Sequence, residues 1–182
     1  PKEIAAIYWQ SVAISNKQTR DQKEHTMATY TPPLRDMQFV LHEVLKVTAD
    51  YPEMPPHAEV DADTINAILE EAGKFAEQEL APTNRTGDLN GARLVDGKVL
   101  THPDLAQAFA AYRDAGWLGL RAPADYGGQG LPAVVSAACE EMWCSANLAF
   151  SLLPMLTLGA IEAILSHASD EQKQTYLPNM SQ

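Results

Sequence analysis

The residues of this chain most suited to chemistry form a glycine-rich turn. Gly127, Gly128 and Gly130 occupy three of four successive positions shortly before Pro132. A glycine turn that leads into a helix can hold a phosphate with its backbone N–H groups. No strand precedes these glycines, as a dinucleotide-binding fingerprint requires. The residues therefore favour a purely structural turn, and a phosphate cradle is the alternative.

The remaining residues give little indication of acid–base catalysis or of metal binding. The pairs Glu70-Glu71 and Glu140-Glu141 are adjacent in sequence, so each pair divides between two faces of a helix. We predict that they solvate a surface, with a general acid or base as the alternative. The five histidines are scattered, and no histidine–cysteine spacing typical of a metal site is present. We predict no catalytic residue and no metal ligand in this chain.

The two cysteines, Cys139 and Cys144, are five residues apart on a predicted helix. That spacing separates them by about 140° around the helix axis, which disfavours a disulfide or a shared metal. We predict two buried free thiols in a reducing compartment, and hence a cytoplasmic protein.

Length and charge exclude several other classes. The chain has 182 residues and a net charge of −11, which is typical of one acidic domain and argues against a nucleic-acid partner. Its longest apolar runs fall short of about 18 residues, so we predict no membrane span. The N-terminus lacks the pattern of a signal peptide.

The chain divides into three predicted segments. Residues 1–26 differ in charge and pattern from the rest, and Met27 is a plausible initiator. We therefore interpret residues 1–26 as an upstream-translated leader, with an amphipathic N-terminal arm as the alternative. Residues 27–60 are predicted to be an N-terminal extension helix and a proline-rich linker, and residues 61–182 to be a helical domain.

Apolar residues at three-to-four spacing predict an all-α bundle of about six helices. The helix that follows Asn147 is apolar nearly all round, so we predict that it is central and buried. Asp88–Lys98 is predicted to be a small hairpin or an ordered loop. The predicted helices are 34–47, one from Asp61 or Asp63 to a stop at Pro82, one from Pro103 to Gly116, one from Pro132, 148–167, and one capped by Ser169.

Three ordered motifs carry a resemblance to a known family. Gly116–Leu131 resembles the signature of acyl-CoA dehydrogenases, and Asp170–Pro178 resembles a later marker of the same family. Tyr30–Val44 is similar to the N-terminal extension of a long bacterial subgroup that includes the 3-methylmercaptopropionyl-CoA dehydrogenases. Together these motifs span most of residues 27–182, and they imply the N-terminal helical-bundle domain of the acyl-CoA dehydrogenase fold.

The resemblance implies a flavoprotein of three parts, of which this chain would be the first. In such an enzyme a carboxylate removes the α-proton of an acyl-CoA thioester while a hydride passes to FAD, and electrons leave to electron-transfer flavoprotein. The catalytic base and most of the FAD site would lie in the middle β-domain and the C-terminal bundle. We therefore expect a truncated, inactive fragment of a homo-oligomeric enzyme, with unknown flavin contacts and exposed apolar surfaces. The alternative is a stand-alone helical binding module without catalysis.

The resemblance also implies a share in the acyl pocket. In the family, the helix before the later marker lines the fatty-acyl tail. Counting back from Asp170 without gaps places that wall on one helical stripe, at Phe150, Ser151, Pro154, Met155 and Leu158. Three of these are bulkier or stiffer than the small polar residues common in straight-chain enzymes, so we expect a short or unusual acyl group. The alternative is that the stripe only packs the core.

Overall fold

The structure, a computed structural model, describes residues 30–182, so the predicted leader lies outside the described residues. It is mostly helical, which confirms the predicted all-α class. A short N-terminal helix, α1, is continued by a π-helical segment, and two 3₁₀ turns follow at Tyr51–Glu53 and Pro55–His57. The α-helices are α1 (Leu34–Gln38, then π-helical Phe39–Val44), α2 (Ala62–Phe75), α3 (Ala81–Asn90), α4 (Pro103–Asp114), α5 (Ala133–Ala146), α6 (Leu148–His167) and α7 (Asp170–Met180).

Helices α2 and α3 are joined without a break by a π-helical segment at Ala76–Leu80. The prediction that Pro82 ends the helix is therefore wrong. Pro82 lies in the first turn of α3, where its missing N–H and fixed φ are tolerated. The carboxylate of Asp61, rather than Asp63, caps the start of α2 by accepting a 2.8 Å hydrogen bond from the N–H of Thr64.

A two-stranded antiparallel hairpin follows α3, at β1 (Arg93–Val95) and β2 (Lys98–Leu100). Asp96 and Gly97 both have positive φ at its turn, which is typical of a two-residue type I′ hairpin. A hairpin or ordered loop was expected at Asp88–Lys98; the observed hairpin extends to Leu100, and residues 88–90 still belong to α3. All of its strand residues are exposed, so it contributes little to the core.

Aromatic rings form the centre of the main core. Trp143 of α5 meets Tyr112 of α4 at 5.1 Å and Trp117 at 5.2 Å between ring centroids, in both cases nearly edge to face. Phe75 of α2 packs against the same rings. Such edge-to-face pairs add to the stabilisation from buried area. Helices α2, α4 and α5 are thus held around one aromatic cluster.

Helix α6 is not the central, buried helix that its composition predicted. One face is buried at Phe150, Pro154 and Ile161, whereas the opposite face is open, with Leu156 75% exposed. Helices α3, α5 and α7 contact α6 but leave much of its apolar surface uncovered by the described residues. The other exposed large apolar residues of α6 are Leu148, Leu152, Leu153 and Met155.

The same helix is long and apolar enough to cross a membrane, by length and composition alone. Glu162 of this helix forms a 3.0 Å ion pair with Arg121, and Ile161 packs with Ala122 and Leu177. Through these contacts, one side of α6 packs against other parts of the described chain. The absence of a membrane span stays a prediction.

Candidate functional site

A cavity of about 110 Å³ lies between α4, α5 and the first half of α6. All five residues of the predicted stripe line this cavity, so the helical spacing does bring them together. Neighbouring helices complete the wall. The residues that line the cavity are Tyr112, Glu140, Trp143, Cys144, Leu148, Phe150, Ser151, Leu152, Pro154, Met155 and Leu158.

The start of α6 is positioned by the side chain of Asn147. Its Oδ1 accepts a 3.0 Å hydrogen bond from the N–H of Phe150, which is a helix N-cap. Its Nδ2 donates a 2.8 Å bond to the hydroxyl of Thr83 in α3. The hydroxyl of Ser151 donates a 3.2 Å bond to the Asn147 carbonyl oxygen. These bonds hold the start of α6, with Phe150 and Ser151, against α3.

The inner wall of the cavity is aromatic. Phe150 is fully buried and meets Tyr112 nearly edge to face, with 5.5 Å between ring centroids. Trp143 also packs against Tyr112. Three rigid rings therefore limit how deep a ligand can reach.

The outer wall of the cavity is aliphatic and partly open. Met155 is 52% exposed, and Leu148 and Leu152 are also exposed, whereas Pro154 is buried. The cavity is thus a short apolar recess, closed at one end by rings and bordered at the other by flexible side chains. It suits a small apolar group rather than a charged one.

The glycine-rich turn does not offer free N–H groups to a phosphate. The N–H groups of Gly128, Gln129 and Gly130 donate to the carbonyls of Pro123, Gly119 and Ala122, at 3.1, 2.8 and 2.9 Å. A Cβ on Gly128 would clash with the Ala122 carbonyl, so this backbone approach requires glycine. The hydrogen bonds therefore support a structural role for the turn.

Within residues 30–182, no cluster of three or more histidine, cysteine or acidic side chains is arranged to hold a metal ion. The two cysteines are free, but only Cys139 is buried, so the prediction of two buried thiols is wrong for Cys144. Burial, and to a lesser degree the charge of Glu140, raises the pKa of Cys139 to about 12. That thiol is therefore unreactive at neutral pH.

Comparison with known proteins agrees with this fold. Residues 62–182 match the family described as acyl-CoA dehydrogenase, N-terminal domain. The chain belongs to the acyl-CoA dehydrogenase family. It is also 40% identical over 152 residues to a protein named 3-methylmercaptopropionyl-CoA dehydrogenase from Ruegeria pomeroyi. That match covers 84% of this chain but only 26% of the relative, so the chain spans about a quarter of the relative's length.

Four cavity residues of this acyl-CoA dehydrogenase domain, on α4 and α5, were missed by sequence reasoning. Tyr112 was not among the predicted site residues, and Glu140 was assigned to a solvated surface, although both line the cavity. Trp143 and Cys144 lie three and four positions after Glu140, so all three share one face of α5. That spacing was a usable signal. Sequence alone did not show that this face of α5 turns toward α6.

The Glu140 carboxylate accepts a 2.9 Å hydrogen bond from the hydroxyl of Ser136, one turn earlier on α5. The side chain is partly buried, whereas its neighbour Glu141 is exposed. The adjacent pair therefore divides between two faces, as predicted, but one member faces the cavity rather than solvent. Glu140 is the carboxylate that lines this cavity.

Proposed function

We propose that this chain is the N-terminal part of an FAD-dependent enzyme that oxidises the Cα–Cβ bond of a short acyl-CoA thioester. Its own contribution is one wall of the acyl pocket, formed by Phe150, Ser151, Pro154, Met155 and Leu158. The observation that carries this proposal is the convergence of those five side chains on a single apolar recess in a domain of this family.

The size of the cavity supports a short acyl group. An engineered apolar cavity of about 150 Å³ holds benzene, so the 110 Å³ available here accommodates about four or five heavy atoms. The relative's name refers to a 3-methylmercaptopropionyl group, which has four heavy atoms beyond the thioester carbonyl carbon. A chain of that length would fill the recess up to the ring of Phe150.

The flavin site and the catalytic base are proposed to lie in sequence that the relative has and this chain does not. The described residues do not fit a phosphate-binding cradle for the flavin, because the turn amides donate to backbone carbonyls. We therefore assign no step of the reaction to a flavin bound by these residues. The chain alone is expected to be inactive; the full-length enzyme is proposed to be a cytoplasmic homo-oligomer that passes electrons to electron-transfer flavoprotein.

A substitution at the pocket wall tests the assignment. In the full-length enzyme, Met155→Gly should extend the recess and shift the optimum of kcat/KM toward acyl chains longer by about two or three carbons. Leu156→Gly is the matched control, because it introduces the same helix-weakening residue at the next position, which does not line the cavity. The measurement is kcat/KM for a series of acyl-CoA thioesters from four to ten carbons.

Two results would contradict the proposal in different ways. An unchanged chain-length profile in Met155→Gly would remove the pocket-wall role while leaving the enzyme class intact. A full-length protein that is colourless and oxidises no acyl-CoA would reject the enzyme class and favour a stand-alone binding module.

A further inference from the structure

Tyr112 holds a polar group at the apolar end of the recess. Its side chain is 1% exposed and is enclosed by the rings of Phe75, Trp143 and Phe150. It nevertheless lines the cavity. A phenylalanine at this position would fill the same volume between the rings. Packing between the rings therefore does not account for the presence of the hydroxyl.

The surroundings of the hydroxyl are defined by α5. Burial raises the pKa of Tyr112 well above its usual value, and the charge of Glu140, followed by Cys139 and Cys144, adds to this effect. Glu140 and Cys144 line the same cavity as Tyr112. The Glu140 carboxylate already accepts a bond from Ser136. Among the described residues, the Tyr112 hydroxyl has no hydrogen-bond partner, which leaves its proton for a molecule in the cavity.

We infer that Tyr112 selects the substrate: its O–H donates a hydrogen bond to an ether or thioether atom near the end of a short acyl chain. An all-carbon chain of equal length would leave this buried donor unsatisfied, which is costly. A chain that ends in a carboxylate would be rejected, because it would approach the Glu140 carboxylate. This inference rests on the proposed acyl-CoA oxidation and identifies the substrate class of the same cavity.

The test compares three thioesters that differ in one chain atom, using the full-length flavin-loaded enzyme. The substrates are 3-methylmercaptopropionyl-CoA, 3-methoxypropionyl-CoA and pentanoyl-CoA, and the enzymes are wild type, Tyr112→Phe and the control Tyr176→Phe. Tyr176 is exposed on α7 and does not line the cavity, so the control removes a hydroxyl elsewhere. The readout is the ratio of kcat/KM for each heteroatom substrate to that for pentanoyl-CoA.

The expected result is a fall of about three- to tenfold in that ratio for Tyr112→Phe, and no change for Tyr176→Phe. The fall should be larger for the ether than for the thioether, because oxygen is the stronger acceptor. Equal losses for all three substrates would overturn the inference, as would a wild-type enzyme that prefers pentanoyl-CoA. The second result needs no variant, so it applies even if Tyr112→Phe does not fold. If the wild type oxidises none of the three, the proposed function itself fails.

Discussion

The side-chain amide of Asn147 donates a 2.8 Å hydrogen bond to the hydroxyl of Thr83, and both residues are buried. Asn147 simultaneously caps α6 through the N–H of Phe150, and the Thr83 hydroxyl donates to the carbonyl of Leu80. A short chain of hydrogen bonds thus connects the end of the π-helical segment to the helix that carries the cavity wall. The position of Phe150 depends on a contact between residues 64 positions apart.

Asn147→Ala should lower the free energy of unfolding by about 2–3 kcal/mol, because it leaves the N–H of Phe150 without its capping acceptor and removes the amide that donates to the Thr83 hydroxyl. Asn147→Ser is the matched control, since it keeps a neutral capping oxygen and loses the amide that donates to Thr83. Urea unfolding followed by circular dichroism measures both. If Asn147→Ala unfolds at the wild-type urea concentration, the bridge does not stabilise the fold.

Gly128→Ala should destabilise the domain by about 2 kcal/mol or more, because the new Cβ would meet the carbonyl of Ala122. Gly159→Ala provides the comparison. Gly159 lies within α6 with open space where a Cβ would be, so alanine there should stabilise by about 0.5–1 kcal/mol. Thermal unfolding of the two variants should move in opposite directions. A Gly128→Ala variant as stable as the wild type would show that the turn can relax.

Glu140→Gln should leave kcat of the full-length enzyme within about threefold of wild type, because the proposed base lies outside this chain. Glutamine can still accept the hydrogen bond that Ser136 donates, so the packing is preserved. Steady-state oxidation of a short acyl-CoA measures the effect. Loss of general-base catalysis costs about 10²–10⁴-fold, and a drop of that size would identify Glu140 as the base instead.

Alkylation should distinguish the two cysteines. At pH 8 the folded chain should take up iodoacetamide at exposed Cys144, whereas Cys139 should react only after unfolding, since with a pKa of about 12 its thiolate fraction is about one in ten thousand. Peptide mass spectrometry locates the label. Modification of both residues at the same rate in the folded chain would show that Cys139 is accessible.

The raised pKa of Cys139 also predicts a pH dependence of stability. In the unfolded chain the thiol loses its proton near its ordinary value of 9.0, whereas in the folded chain it keeps the proton up to about pH 12. The unfolded state therefore binds fewer protons between these values, and the free energy of unfolding falls as the pH rises through that window. Cys139→Ala should reduce this slope, and Cys144→Ala should not. Urea unfolding at pH 8, 9 and 10 tests the difference.

Local sequence signals predicted much of the fold because their causes are local. Ser169 was predicted to cap a helix and a helix was predicted to follow Asn147; both side chains accept backbone N–H bonds as N-caps. The helix predicted to begin at Asp61 or Asp63 is present, and its buried residues Ile65, Leu69 and Ala72 follow the helical period. Pro82 was misjudged, because a proline ends a helix only where its N–H is needed. The π-helical segment Ala76–Leu80 ends just before Pro82, so Pro82 lies in the first turn of α3.

The sequence predicted the cavity residues of α6 but not those of the neighbouring helices α4 and α5. Phe150, Pro154 and Met155 share a face because of helical geometry, and the sequence contains that information. Tyr112 and Glu140 belong to other helices, and nothing local shows that they meet the stripe. Packing among the rings of Tyr112, Trp143 and Phe150 brings α4, α5 and α6 together. Tyr112 and Glu140 line the cavity because of this packing.

The sequence by itself therefore determined the helical class, the caps, the family and the residues of one cavity wall, because periodicity, capping and motifs act over a few positions. The tertiary structure alone decided that α6 is covered on one side, that the amides of the glycine turn bond to nearby backbone, and that Tyr112 lines the recess. Those facts depend on which surfaces meet. Burial of apolar area is non-directional, so composition shows that α6 has surface to cover but not which side is covered.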